Sequence, residues 1–191
     1  MAKEILKERE SALEYEFFHK VDEQLWQQLK DKLQFEEQEK ALADATGITD
    51  EGVLLELVQL GISNETIFAL SLFPLVWVAW SDGEIQPKER DAILEAAHDI
   101  GHERDSASHH LIDTWLDHKP SEAIHKAWQD YVHAICETAT PELRETLKHN
   151  AVKRTRDVAQ ATGGILGFHK ISREQEAVLK EVERAFERTT G

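Results

Sequence analysis

Three carboxylates gathered around a glycine are the residues of this chain best suited to chemistry. In Trp80-Ser81-Asp82-Gly83-Glu84-Ile85-Gln86-Pro87-Lys88-Glu89 the acids Asp82, Glu84 and Glu89 follow an apolar run and lead into a new helix start. If Asp82 is placed at position 5 of an EF-hand loop, Gly83 falls at 6, Ile85 at 8 and Glu89 at 12, which matches the second half of a calcium loop. The first half fails, because positions 1 and 3 become Val78 and Trp80, which carry no side-chain oxygen. What is left is a partial ligand set for a divalent cation, with Asp91 nearby and with water or a partner completing the shell. The same residues have a purely structural use. Gly83 turns the chain, Ile85 reaches the core, and Glu89, at the third position of a helix opening at Pro87, can reach back to cap that helix.

Other reactive side chains form weaker patterns. Among ten histidines, His98-Asp99-Ile100-Gly101-His102 superficially resembles the zincin pattern His-Glu-x-x-His, but Asp replaces the glutamate base and Gly101 unwinds the helix before His102. His125 and His133 are expected on the solvent face of one helix with Glu122, Gln129 and Asp130. His109, His110 and His118 can face them and leave room for an adventitious zinc or nickel ion. Lys148, Lys153, Arg154 and Arg156 cluster late in a long helix, where cations suit the helix dipole. Lys153, Arg154 and Arg156 are also the candidate contacts for an acidic partner or a second copy of the chain. Trp77 and Trp80, three residues apart, share a helical face and are expected in the core, with the wall of a small pocket as the alternative. Cys136 is expected to be a buried, inert thiol. No serine or cysteine nucleophile is paired with a histidine in any legible order, and no phosphate-cradling glycine loop follows a strand. No catalytic or cofactor-binding residue is assigned, and an enzyme is disfavoured.

The elements that must hold these residues read as helices throughout. Leu6, Leu13, Phe17, Val21, Leu25, Leu29 and Leu33 recur mostly every four residues, an amphipathic stripe over residues 2 to about 40. A short helix follows from about Glu51 to Leu60, capped by Thr49 and closed by Gly61. Asn64 caps an apolar helix running to Trp80, which Pro74 should kink. Pro87 to Ile100 begins with proline at the first helical position and stops at Gly101. Helices are then expected around Ala107 to His118 and from Ser121, the latter with a stripe of Ile124, Ala127, Trp128, Tyr131, Val132 and Ile135. A long helix opens at Thr140-Pro141 and runs to Gly163-Gly164, and a last one starts at Arg173. No alternating strand pattern competes, so the fold class is all-α: a compact bundle of about eight or nine helices with an N-terminal helical extension.

An internal repeat links the two helix starts. A shift of 86 residues carries Ile85 onto Ile171, Gln86 onto Ser172 and Glu89 onto Gln175, both of the latter at the third helical position where a capping box closes. Phe168 and His169 stand where the first copy has Asp82 and Gly83, so only the first copy is acidic. Together, Ala-Trp-Ser-Asp-Gly-Glu-Ile-Gln-Pro-Lys-Glu-Arg and the Gly163 to Glu174 segment, Gly-Gly-x-Leu-Gly-x-x-Lys-Ile-Ser-x-Glu, resemble the TerB-like, tellurite-resistance-associated superfamily over roughly residues 66 to 188. The resemblance implies a helical module of two pseudo-repeated units with an acidic surface site, a stress-response association and no established enzymatic activity. Residues 66–191 would form that domain and 1–65 an extension packed on it.

Composition narrows the partners. Acidic residues outnumber Lys and Arg by 37 to 22 and the formal charge is −15, which repels a phosphate backbone, so nucleic acid is excluded as an expected ligand. A lone cysteine permits no intramolecular disulfide, and the first residues carry no apolar run of signal-peptide length, so a cytoplasmic location is expected. The longest apolar stretch, Ile67 to Trp80, is too short to cross a bilayer, which takes about 20 residues. The expected function is a non-enzymatic interaction or stress-response module whose acidic turn takes a divalent cation or a protein partner, with homodimerisation through the N-terminal helix as a further expectation. The alternative is a metal-dependent hydrolase or metal-sequestering protein using the acidic turn or the histidines.

Overall fold

The computed structural model describes residues 25–99, 106–161 and 171–187, and among these every regular element is a helix. The chain divides into two compact units, Met1–Gln38 and Glu39–Gly191. The boundary lies well before residue 65, because Leu42, Ile48, Leu54 and Leu57 are already part of the buried core. In the first unit the described residues are helical, and Leu25, Leu29 and Leu33 of the expected stripe are exposed. The earlier stripe positions, Leu6 to Val21, lie outside the described residues.

Helix α1 covers 25–46 and ends at Gly47, which takes a positive φ of 73°. Helix α2 (Glu51–Gln59) is capped by Asp50, whose carboxylate accepts from the Val53 N–H, rather than by Thr49. It closes on Gly61, at φ +79°, with Ile62 N donating to Leu57 O and Gly61 N to Val58 O. That is the Schellman arrangement, which needs a left-handed residue to turn the last carbonyls inward.

The expected apolar helix up to Trp80 is two helices, α3 (Ile67–Ser71) and α4 (Phe73–Ala79). Pro74 has no N–H to offer and its ring would strike the carbonyl four residues back, so the helix restarts at Phe73 and holds the proline in its first turn. Asn64 is not the cap. Ser63 N donates to Thr66 Oγ1 at 2.8 Å, and this turn precedes α3.

Helix α4 is the axis of the second unit. Phe73, Leu75, Val76, Val78 and Ala79 are at most 1% exposed, as expected of a helix apolar on every side. Around it pack α3, α5 (Pro87–Asp99), α6 (Ala107–Asp117), α7 (Glu122–Thr138), α8 (Pro141–Ala161) and α9 (Arg173–Ala185). The starts of α7, α8 and α9 follow the expected caps, with Ser121, Thr140 and Ser172 each accepting an N–H from the first turn, and Ser106 does the same for α6. The expected stops at Gly101 and at Gly163-Gly164 lie outside the described residues.

Candidate functional site

The acidic turn is built where α4 ends. Trp80 caps α4, Ser81 Oγ donates to Val78 O at 2.7 Å, and Gly83 takes φ +103° with its N–H on Trp80 O, a conformation costly for any residue with a Cβ. Asp82 and Glu84 are exposed on the outside of this turn, and Gln86 Nε2 donates to Glu84 Oε1 at 3.0 Å.

Glu89 points the other way and is fully buried. Its Oε2 accepts from the Gln86 N–H at 3.0 Å, closing the helix start on itself. Its Oε1 accepts from Gln175 Nε2 at 3.1 Å, a bond spanning 86 residues. Gln175, 4% exposed, is the equivalent residue of α9, and its Oε1 accepts from the Ser172 N–H while Ser172 Oγ accepts from the Gln175 N–H. The repeat is therefore more than a pattern: its two capping residues bond each other in the core.

This contact explains why the copies differ in residue type. Each capping side chain must offer an oxygen to its own helix start. One of the two must then donate across the pair and the other accept, and a glutamate facing a glutamine satisfies both demands. Two glutamines would set amide N–H against amide N–H, and two glutamates would set carboxylate against carboxylate.

Burial raises the Glu89 carboxyl above its ordinary value. The Gln86 backbone bond counters this, the nearby Asp82 charge adds to it, and the Gln175 bond opposes it.

Of the expected metal ligands, Asp82 and Glu84 are thus exposed on the turn, while both oxygens of Glu89 are engaged inside the core. Among the described residues no group of three or more His, Cys, Asp or Glu side chains is placed to hold a metal ion.

The surface reading of His125 does not hold. Its side chain is 15% exposed and its ring stacks on Trp77 with centroids 4.5 Å apart and on Phe73 at 5.9 Å. Glu122 lies 3.5 Å from Nδ1 and Glu181 3.7 Å from Nε2, so a protonated ring would meet carboxylates at both nitrogens. Lys119 Nζ sits 4.8 Å above the Trp77 ring, a cation–π contact. The helical period alone put His125 on the polar face of α7. The face is set instead by α4 and α9, whose Trp77 and Glu181 cover it. His133 is half-buried and 3.5 Å from Glu137.

Trp80 donates from Nε1 to Trp115 O at 2.8 Å and ties α4 to α6. Cys136 is buried, and burial pushes its thiol pKa up while the Arg144 charge opposes that shift.

The basic residues do not act alike. Lys148 bonds Glu187 beyond α9 at 2.6 Å, and Lys153 bonds Asp157 on its own helix at 3.0 Å. Arg154 and Arg156 are half-buried. Lys153 and Arg154 line a charged crevice of about 450 Å³ between α5 and α8, with Glu95, Asp99 and Asp157.

No helix of the described residues is long and apolar enough to cross a membrane. Comparison of the chain with protein-family models, with curated proteins and with solved structures returns no match.

Proposed function

We propose that the chain is a non-enzymatic, TerB-like interaction module of the cytoplasm, associated with a tellurite or stress response, that presents Asp82 and Glu84 to a basic segment of a protein partner. The observation that carries this reading is the buried Glu89–Gln175 bond. It supports the resemblance, because it gives a physical cause to the paired spacing of the two segments. It also removes Glu89 from any ligand set and leaves Asp82 and Glu84 as the acids available to a visitor. A calcium ion takes six to eight oxygens, and two exposed carboxylates on a turn supply few of them, so a cationic protein surface is the better occupant. The turn is held on both sides, by the end of α4 and by the closed start of α5, so its charges are presented with little conformational freedom to lose on binding.

The test is a photo-crosslinking residue at Ser81 in the full chain, followed by reconstitution of the captured polypeptide with purified protein. The expected result is a complex that weakens at least tenfold in the double variant Asp82→Lys, Glu84→Lys, with the melting temperature unchanged. An equal affinity in that variant, or a metal-dependent turnover abolished by Asp82→Ala, sinks the proposal.

A further inference from the structure

A second feature of the fold lies away from the acidic turn. Helices α3, α4, α7 and α8 leave a cavity of about 280 Å³ with a largely apolar wall, including Leu75, Trp128, Ile135 and Phe186. Arg154, Tyr131, Asn150 and Ser71 also line it. Arg154 is half-buried on a chain with a formal charge of −15, and it makes no hydrogen bond or ion pair among the described residues although Glu95, Asp99 and Asp157 share the neighbouring crevice with it. A guanidinium cannot lose its proton, so it brings a permanent positive charge and a fork of donors to the edge of an apolar space. The Tyr131 hydroxyl likewise has no hydrogen-bond partner among the described residues. Burial pushes its pKa up to about 12, so it remains an O–H donor at neutral pH.

An apolar cavity with a few convergent donors is the usual form of a small-molecule site. Here the charged residue on the lining is a fixed cation, with neutral hydroxyl and amide side chains beside it, and that balance suits a carboxylate and disfavours an amine. At about 30 Å³ for each water-sized group, the space holds roughly nine such groups. We propose that this cavity binds a small monocarboxylate with an apolar tail of about seven carbons, its carboxylate on Arg154 and its tail against Trp128 and Ile135.

The site was only half legible in the sequence. In the sequence Trp128, Tyr131 and Ile135 fall on one apolar stripe and Arg154 in a basic cluster, and only the tertiary structure puts them on one cavity.

The experiment is calorimetric titration of the full chain with octanoate, 1-octanol and octylamine, unbranched eight-carbon compounds that differ in head group. Octanoate is expected to bind saturably with Kd on the order of 100 µM, and octylamine at least tenfold more weakly. Arg154→Gln should weaken octanoate about tenfold and leave octanol unchanged. Ala151→Phe, which fills the cavity from α8, should block both, with melting curves recorded to show that each variant is folded. If octylamine binds as well as octanoate, or Arg154→Gln leaves octanoate affinity intact, the carboxylate assignment is wrong. No saturable octanoate binding to the wild-type chain overturns the site altogether. Should Ala151→Phe not fold, the head-group series and Arg154→Gln still decide. None of these readouts depends on Asp82 or Glu84, so the cavity and the acidic turn stand or fall separately.

Discussion

The starts of α5 and α9 do the same structural work with different surroundings. At α9 a serine and a glutamine close a full capping box. At α5 the N-cap position is Gln86, and Glu89 alone reaches back to its backbone, while the exposed turn before it carries the acids Asp82 and Glu84. Both third-position side chains turn inward and meet, so the chemistry of each is constrained by the other. The difference teaches that two kinds of acid share one short stretch. Glu89 belongs to the core, and Asp82 and Glu84 belong to the surface. Treating the three as one ligand set joins residues that face opposite ways.

The most damaging change to this arrangement should be Glu89→Ala. It strands the part-buried Gln86 N–H and the buried Gln175 Nε2 and opens a cavity, for an expected loss of about 3 kcal/mol in urea unfolding. The same truncation at an exposed acid of the turn serves as the control.

Gln175→Glu should follow, costing about 2 kcal/mol at neutral pH by setting two carboxylates together in the core. The complementarity has a sharper test in the exchange Glu89→Gln with Gln175→Glu. That double variant restores one acceptor and one donor and should be more stable than either single variant, with a coupling of at least about 1 kcal/mol. Additive losses in the cycle would contradict the mutual bond.

A smaller effect is expected with pH. The folded-state pKa of Glu89 lies above the ordinary 4.5, so the native state holds its proton more tightly than the unfolded chain does. Stability from this group is then greatest below the unfolded value and is lost as pH rises through the folded one. Measured between pH 4 and 7, the stability of wild type relative to Glu89→Gln should grow as pH falls, and a flat difference would remove the claim.

Smallest of all, Asp82→Asn and Glu84→Gln should change stability by no more than about 0.5 kcal/mol, because both side chains are exposed. A large loss at either would show that the turn's acids share the structural role of Glu89.

Much of this is legible in the sequence. The spacing of apolar residues, the Ser121 and Ser172 caps and the prolines at Pro87 and Pro141 depend on contacts within one turn of helix, and such local chemistry is written in the order of residues. Pro74 shows the limit. Its effect on the backbone was plain, but whether it bends a helix or splits it into α3 and α4 depends on what packs around Leu72 and Phe73. His125 shows the limit again, since a polar residue on a polar face was covered by Trp77 and Glu181 from other helices.

By itself, then, the sequence determined the helices, most of their ends and the correspondence of Glu89 with Gln175, because periodicity and capping are short-range. Tertiary structure alone decided that those two side chains touch, that Glu89 is buried while Asp82 and Glu84 are not, and that Arg154 borders an apolar cavity. These outcomes turn on which face each helix shows to its neighbours, and the packing of α5, α7, α8 and α9 around α4 settles that.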